Sequence, residues 1–445
     1  MTLSTETAYR YRWPALFTLV LAQVMDLFDG VVTNVAAPAI RGGLGGDLAQ
    51  LQWISAAYTL TFAVGLITGG RLGDIWGRRR ILLIGVAGFA LSSLACGLAQ
   101  DPATLIAARA VQGAFAAVMI PQQFGLIKQM FSPREMPKAF GVLGPVVGLT
   151  TISAPIIGGA LVDAWGWQSV FLVNIPIGAL LIAGVLRWVP ESRSPSALKP
   201  DYAGMILVSA GVLLLIHPLV QGREDGWPAW VFVELAAAVP VLLVFAWHQT
   251  RKASPLVPPR LFKERSYTGG LLLSLVFYAG LNGTMLVVVL HMQLVEHMTP
   301  LQAGLVLVPW SLGASIGSTV SGMWLAARYG RKMLHAGIAS MAVGMAWFAT
   351  TDTHVVPLFV AGVGMGLLLA PFLDIVLWGV DKENVGAASG VLNATQQLAN
   401  ALGVAVLGTI FFDTELNTVL WTEVGLLATG FLLTFLLPQK RPDVR

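Results

Sequence analysis

Two carboxylates stand where carboxylates are rare. Asp26 and Asp29 lie near the middle of an apolar run spanning 14–36. Three residues apart on a helix, they differ by ~4.5 Å of rise and ~60° of rotation, so they share a face. Acids so deep in an apolar run are functional candidates: desolvation and a like-charged neighbour both favour the proton-bound form. Arg109 is the one basic residue inside an apolar run, with Gln112 three residues on. An arginine there costs ~2.5–3.5 kcal/mol even on a lenient insertion scale, so it faces a cavity or a partner, or else it snorkels to the nearer boundary. Asp374 lies near one end of its run and is divided between a functional and an interfacial role. Glu234 and Glu423, about five residues inside their boundaries, are expected at the headgroup level. His217 and His291 are expected to be hydrogen-bonded at an interface.

Other chemistries lack their residues. No His/Asp/Glu cluster has metal spacing, no glycine-rich loop with lysine suits a phosphate, and no Ser/His/Asp array suits nucleophilic catalysis. Cys96 is the one cysteine, which excludes an intrachain disulfide. The expectation is a non-enzyme without metal or cofactor, powered by an ion gradient because no ATP site is visible.

The elements that position these side chains follow from composition. Of 445 residues, 56% are hydrophobic and 11% charged, against about 25% charged in a soluble domain. That excludes a soluble enzyme. Apolar runs recur at about 14–36, 51–69, 81–99, 103–127, 138–162, 167–187, 203–220, 229–247, 268–290, 302–326, 333–350, 355–378, 388–411 and 418–437. Each suits a helix crossing a hydrocarbon core of ~30 Å, and the continuity of the runs argues against barrel strands. Fourteen transmembrane helices are therefore predicted in an all-α polytopic membrane protein. Arg10 and Arg12 precede a first run that is too long for a leader's apolar core, so no cleavable signal peptide is expected.

Orientation comes from the basic residues. With a cytoplasmic N-terminus, 24 of the 27 Lys and Arg fall in inside segments, Arg41 and Arg223 fall outside, and Arg109 lies within a span. Both termini are thus expected inside. The net charge of +4 reflects this topology and not nucleic-acid binding. Two long linkers rich in Pro and basic residues, 188–202 and 248–267, divide the helices six, two and six. The expected units are a six-helix bundle over 1–195, a two-helix insert with its linkers over 196–262, and a second six-helix bundle over 263–445. A faint internal echo supports a parallel repeat: Gly70–Arg80 after the second helix and Gly322–Lys332 after the tenth both carry a Gly-Arg-basic cluster.

Gly70-Arg71-Leu72-Gly73-Asp74-Ile75-Trp76-Gly77-Arg78-Arg79-Arg80 resembles the helix 2–3 loop motif of the major facilitator superfamily, with Ile75 at a usually basic position. Its glycines suit a tight turn and close approach, and Asp74 suits a latch against a basic group or a helix N-terminus. Arg109-Ala110-Val111-Gln112-Gly113 is similar to that superfamily's helix 4 motif. Ala154-Pro155-Ile156-Ile157-Gly158-Gly159 resembles the helix 5 motif of its antiporters, with Ala154 at a usual glycine. Asp29 to Pro38 is similar to the helix 1 motif of the fourteen-helix drug:proton antiporter branch, with Val31 at a usual threonine. Trp167, Asn174–Gly178, Gln302–Gly304 and Pro309 resemble the same branch.

The resemblance implies a major facilitator fold of two six-helix bundles plus two extra helices. It also implies a proton-coupled exporter of amphiphilic, cationic drugs or toxic compounds in a cell inner membrane, acting by alternating access as a monomer. Proton coupling is expected from Asp29, Asp26, Arg109 and Asp374. Substrate contact is expected from Asp29, Asn34, Gln112 and Asn282. Gating is expected from Gly70, Asp74, Gly77, Arg78, Arg79, Pro155, Gly158 and Gly159. The alternatives are a dedicated exporter of one metabolite or antibiotic and a proton-translocating respiratory subunit. Mid-membrane lysines, expected of the latter, are absent from every predicted span.

The topology is testable by cysteine labelling. In a Cys96→Ser background, Glu224→Cys should label from outside and Ser194→Cys from inside. Labelling of both from one side contradicts the span count between them.

Overall fold

The computed structural model describes residues 9–45, 48–132, 135–192, 200–224, 226–298, 300–351, 353–381 and 384–439. Every predicted span is a helix. The first bundle holds α1 (Arg12–Leu44), α2 (Leu48–Trp76), α3 (Arg78–Gly97), α4 (Pro102–Met130), α5 (Met136–Gly141 continued by Leu143–Trp165) and α6 (Ser169–Leu172 continued by Asn174–Trp188). The insert is α7 (Tyr202–Glu224) and α8 (Ala229–Arg251). The second bundle holds α9 (Arg265–Leu294), α10 (Pro300–Val306 continued by Val308–Val320 and on to Tyr329), α11 (Arg331–Thr350), α12 (Val355–Val376), α13 (Val385–Asp413) and α14 (Leu416–Leu433). Among the described residues, thirteen helices are long and apolar enough to cross a membrane; α5, with 23 residues in its longer piece, completes the fourteen.

The breaks within spans have local causes. Pro176 lacks an N–H and its ring opposes the carbonyl four residues back, and α6 is interrupted after Leu172. Pro309 begins the second piece of α10 in the same way. Near its end α10 widens into a π-turn over Ser321–Leu325. The predicted helix 2–3 loop is shorter than its motif: α2 stays helical through Trp76, and the chain reverses at Gly77 alone. Gly77 has φ +101°, and an added Cβ would lie 2.7 Å from the Glu191 carboxylate, so only glycine fits. Gly330, between α10 and α11, also has positive φ, at +49°. The echo in sequence is an echo in backbone.

The bundles repeat each other in packing. In the first, α4 packs on α2 and α3, α1 packs on α5 and α6, and α3 on α6. In the second, α12 packs on α10 and α11, α9 on α13 and α14, and α11 on α14. Adding eight to each number converts one set into the other. The bundles meet along two seams that the same repeat relates, α2 with α13 and α5 with α10. The insert lies over the first seam, since α7 touches both α2 and α13 while α8 packs on α7. Its basic-end anchor is Asp201, which accepts from His248 Nε2 (2.9 Å), Gln249 Nε2 (3.0 Å) and the Gly204 amide (3.1 Å). Burial works against its charge, and these hydrogen bonds more than offset it, holding the carboxyl below its usual range.

Both seams are shut at the end that carries the basic loops. On one, Gly70 of α2 abuts the Gly386 backbone of α13, and Gly390 sits against Leu66 and Ile67. On the other, a Cβ on Gly141 of α5 would lie 2.8 Å from the Cα of Gly322 of α10, and Ser318 Oγ donates to the Gly141 carbonyl at 3.1 Å. Small residues let the backbones touch and leave little side-chain interlock to undo when the seam parts.

Overpacking such a contact costs about 1–3 kcal/mol, a shift of roughly 5- to 150-fold in a closed-to-open equilibrium. In a Cys96→Ser background, Gly70→Ala should therefore speed thiol labelling of Ser389→Cys, which replaces a buried side chain bonded across this seam to Pro121. An unchanged labelling rate contradicts the seam as the closing contact.

Candidate functional site

The intramembrane charges converge. Arg109 of α4 is 1% exposed and its guanidinium pairs with the Asp29 carboxylate of α1. Snorkelling is excluded. Arg109 Nη1 also donates to Gln112 Oε1 at 2.7 Å, and Nε to the Ile54 carbonyl of α2 at 3.1 Å. The second Asp29 oxygen accepts from Gln112 Nε2 at 2.9 Å and from Asn174 Nδ2 of α6 at 2.7 Å. Both amides reach Ser93 Oγ of α3, at 3.2 and 2.9 Å, and that hydroxyl donates to the Phe171 carbonyl. Cys96 Sγ lies 3.6 Å from Gln112 Oε1. Five of the six helices of the first bundle thus place a group in one connected network. Asp29 is enclosed by it.

Asp26, one turn earlier on α1, is treated differently. Its side chain is partly exposed, and the Tyr58 hydroxyl of α2 donates to its Oδ1. The Tyr58 ring lies under the Arg109 guanidinium, 4.3 Å from centroid to Cζ, a cation–π contact that links the two acids through one arginine. Arg109 neutralises Asp29 directly, while Asp26 has a neutral donor. The cluster as a whole carries one uncompensated negative charge when both acids are ionised.

The second constellation lies at the basic end, where the motif implies a latch. Asp74 accepts from Arg78 Nη2 (2.7 Å) and Nε (3.2 Å), with Arg71 Nη1 at 3.8 Å. Its other oxygen crosses the seam and accepts from the Ala387 amide in the first turn of α13, at 3.1 Å. A carboxylate at a helix N-terminus meets orphan N–H groups and the positive end of the helix dipole. Arg78 also donates to Ser192 Oγ (3.0 Å) and packs on Gly125, while Arg79 Nη2 donates to the Leu186 carbonyl at 2.6 Å. Lys128, at the end of α4, completes the latch with the opposite polarity. Its ammonium donates to the carbonyls of Leu377 (2.5 Å) and Val380 just past the C-terminus of α12, where a cation is favoured.

The remaining candidates disperse. Asp374 lies near the basic end of α12, in the other bundle. Asn282 on α9 donates to the Tyr278 carbonyl of its own helix at 2.9 Å. The side chain of Asn34 lies outside the described residues. Pro155 falls inside α5; Gly158 packs on Val32 of α1, whereas Gly159 has open space where a Cβ would be. Glu234 meets His217 at 2.8 Å and stays partly exposed. His291 and His354 approach Glu296 at 3.7 and 3.8 Å. The expectation for Glu423 is corrected: it is 1% exposed, inside the second bundle, with Gly280 of α9 leaving room for its carboxylate. Depth from a helix end is a poor guide when neighbouring helices cover the side chain.

Sequence reasoning missed Tyr58, Ser93 and Lys128 outright, and read Asn174 only as part of a motif. It also missed an amide stripe on α13. Asn393, Gln397 and Asn400 continue the face that begins with Gly386 and Gly390, at spacings of three and four. Asn393 Nδ2 and Asn400 Oδ1 are buried without a partner in the structure, available to a ligand or to water. Three amides at heptad-like spacing in an apolar run were the available signal.

The sequence profile of the Major Facilitator Superfamily matches residues 19–404 and 270–444. The chain is 46% identical over 422 residues to a protein of Streptomyces coelicolor named probable actinorhodin transporter, covering 91% of this chain and 73% of that one. It is 34% identical to the puromycin resistance protein pur8 of Streptomyces alboniger, covering 90% and 82%. It is 32% identical to the multidrug resistance protein Stp of Mycobacterium tuberculosis, covering 89% and 75%. The crystal structure of the human organic anion transporter MFSD10 (TETRAN) shares the fold, with a TM-score of 0.73 over 95% of this chain and 99% of that one at 14% identity. With fourteen membrane helices in two repeated bundles and a profile match along most of its length, this chain belongs to the major facilitator superfamily of multi-pass membrane transporters.

Proposed function

We propose that this chain exports amphiphilic, cationic drugs or toxic compounds across the cell membrane in exchange for protons, with both termini inside. The observation that carries the reading is the charge balance on α1. Arg109 neutralises Asp29, and Asp26, with a tyrosine hydroxyl as its donor, holds the uncompensated charge. A proton or a cationic substrate compensates it equally well, and binding one in place of the other is exchange. We therefore assign the proton to Asp26 and a positioning role to the Asp29–Arg109 pair, reversing the roles expected from the motif. One proton crossing 100 mV supplies about 2.3 kcal/mol.

Alternating access follows from the two related seams. With the seams shut at the basic end, Asp26 would be reached from the opposite side, which the charge asymmetry makes the outside. Neutralising Asp26 removes the cost of exposing α1 to a low-dielectric surround and permits the bundles to rock, parting the glycine contacts and withdrawing Asp74 from the α13 terminus. The amide stripe of Asn393, Gln397 and Asn400 would offer neutral hydrogen bonds to the cargo. The site is complete within one chain, which supports a monomer as the working unit.

Relatives named for drug and antibiotic resistance or transport support efflux as the direction. The relative of 46% identity is named for a single compound, which favours a second reading, a dedicated exporter of one antibiotic with the same coupling. Competition among chemically unrelated cations for export separates the two: mutual inhibition supports a broad site, and insensitivity supports a dedicated one.

The coupling assignment makes a paired prediction. Asp26→Asn should keep wild-type thermal stability and lose export driven by a pH gradient in proteoliposomes. Asp29→Asn leaves a buried guanidinium without its counter-ion and should lose about 3–5 kcal/mol of stability together with transport. Adding Arg109→Gln to Asp29→Asn should restore stability and not transport. Wild-type pH-driven export by Asp26→Asn would overturn the assignment.

A further inference from the structure

Glu423 is the acid of the second bundle that the coupling scheme above does not use. It projects from α14 and is 1% exposed. Among the described residues, Thr284 Oγ1 of α9 donates a hydrogen bond to it, at 3.3 Å. The carboxylate occupies the space beside Gly280, where any Cβ would collide with it. No cation pairs with it among the described residues. α14 packs on α9, α11 and α13, and the described cationic groups on those helices are engaged elsewhere or stand at the basic end. His291 of α9 meets Glu296, and His335 of α11 bonds to Thr434. Arg265, Arg331 and Lys332 stand in the first turns of α9 and α11, at the basic end. The described side chains of α13 make no bond to it.

A bare carboxylate so enclosed costs several kcal/mol, which one weak hydroxyl bond does not offset. The adjoining face of α9 is also special: Gly283 lies against the Gly403 carbonyl of α13, with the Gly403 backbone tight against Ala279. α9 is thus held to α13 by glycines along one stripe and to α14 by a carboxyl in a glycine notch along the adjoining one. We propose that Glu423 is a second proton-binding site, in the second bundle and independent of Asp26 and Asp29. The enclosed state holds the proton, and release requires α9 and α14 to part and admit water. Proton binding itself stands on this geometry; a transported second proton rests on the coupled-exporter reading.

Infrared difference spectra of the purified protein in lipid, taken between acid and alkaline pH, test the binding without any transport assay. A protonated-carboxyl C=O band should be lost in Glu423→Gln and retained in Asp26→Asn. Gly280→Ala, which crowds the carboxylate, should shift that band, and it serves if Glu423→Gln fails to fold. A spectrum unchanged by both Glu423→Gln and Gly280→Ala overturns the proposal, as does a Glu423 band that persists across the whole pH range, since such a group never releases its proton. In proteoliposomes, Glu423→Gln should lower the number of protons exchanged per substrate by one while leaving substrate affinity unchanged. An unchanged ratio overturns the transported second proton, whereas failure of the exporter reading itself would show as no pH-driven export by the unsubstituted protein.

Discussion

A guanidinium buried in the middle of an apolar bundle must be compensated, and the first bundle is organised around that requirement. Arg109 cannot shed its charge, and the cost of leaving it unpaired in hydrocarbon is several kcal/mol. Asp29 supplies the counter-charge, while Gln112, Asn174 and Ser93 satisfy the hydrogen bonds that remain. The polar network therefore fixes the relative positions of α1, α2, α3, α4 and α6 more specifically than apolar packing could, because lipid-soluble surfaces slide at little cost. It also sets the electrostatics of what lies beside it. With Asp29 and Arg109 cancelling, the charge on Asp26 decides whether the cluster is anionic or neutral. In the proposed mechanism the unit serves as a structural anchor and as a switch, the two roles falling on adjacent turns of one helix.

The seams between bundles obey the opposite rule. Where the first bundle uses a buried ion pair to hold helices together, the seams use glycine against glycine and a few charges at helix ends. Asp74 meets an N-terminus and Lys128 a C-terminus, on α13 and α12 respectively. Parting the bundles would break these cross-seam contacts, while Asp74 would keep Arg78 of its own bundle. They stabilise one state by a modest amount without welding it. The pseudo-repeat relates the helix pairs of the two seams, so in the proposed cycle one rocking motion would open both together.

Much of this was legible in the sequence because membranes make sequence unusually informative. The shortage of charge and the fourteen apolar runs identified the helices, and each exists. Asp29 and Arg109 each stood out alone, yet their pairing spans 80 positions and no local pattern encodes it. Asn174 and Ser93 were opaque because small polar residues in membrane helices serve packing as often as bonding. The prolines 176 and 309 were visible, but whether a proline kinks or interrupts a span depends on what satisfies the freed carbonyl. The motif from Gly70 to Arg80 was read as a loop, and it proved to be mostly helix with one reversing glycine, because its glycines serve the α2–α13 contact. Glu423 was misplaced for a related reason. Sequence gives depth along a helix and says little about which neighbours enclose a given face.

The central claim is that the charge on Asp26 controls the closure of the basic-end seams. Its most direct test is the distance between spin labels on the exposed ends of the two bundles, at Arg80 and Lys263, in a Cys96→Ser background reconstituted in lipid. In the protein with Asp26 intact, the distance distribution should shift between closed and open populations as pH is changed. With Asp26→Asn it should stay on one population at every pH, with Asp29 and Arg109 untouched. A pH-driven shift of the same size in Asp26→Asn would contradict the account and place control of the seam in another group.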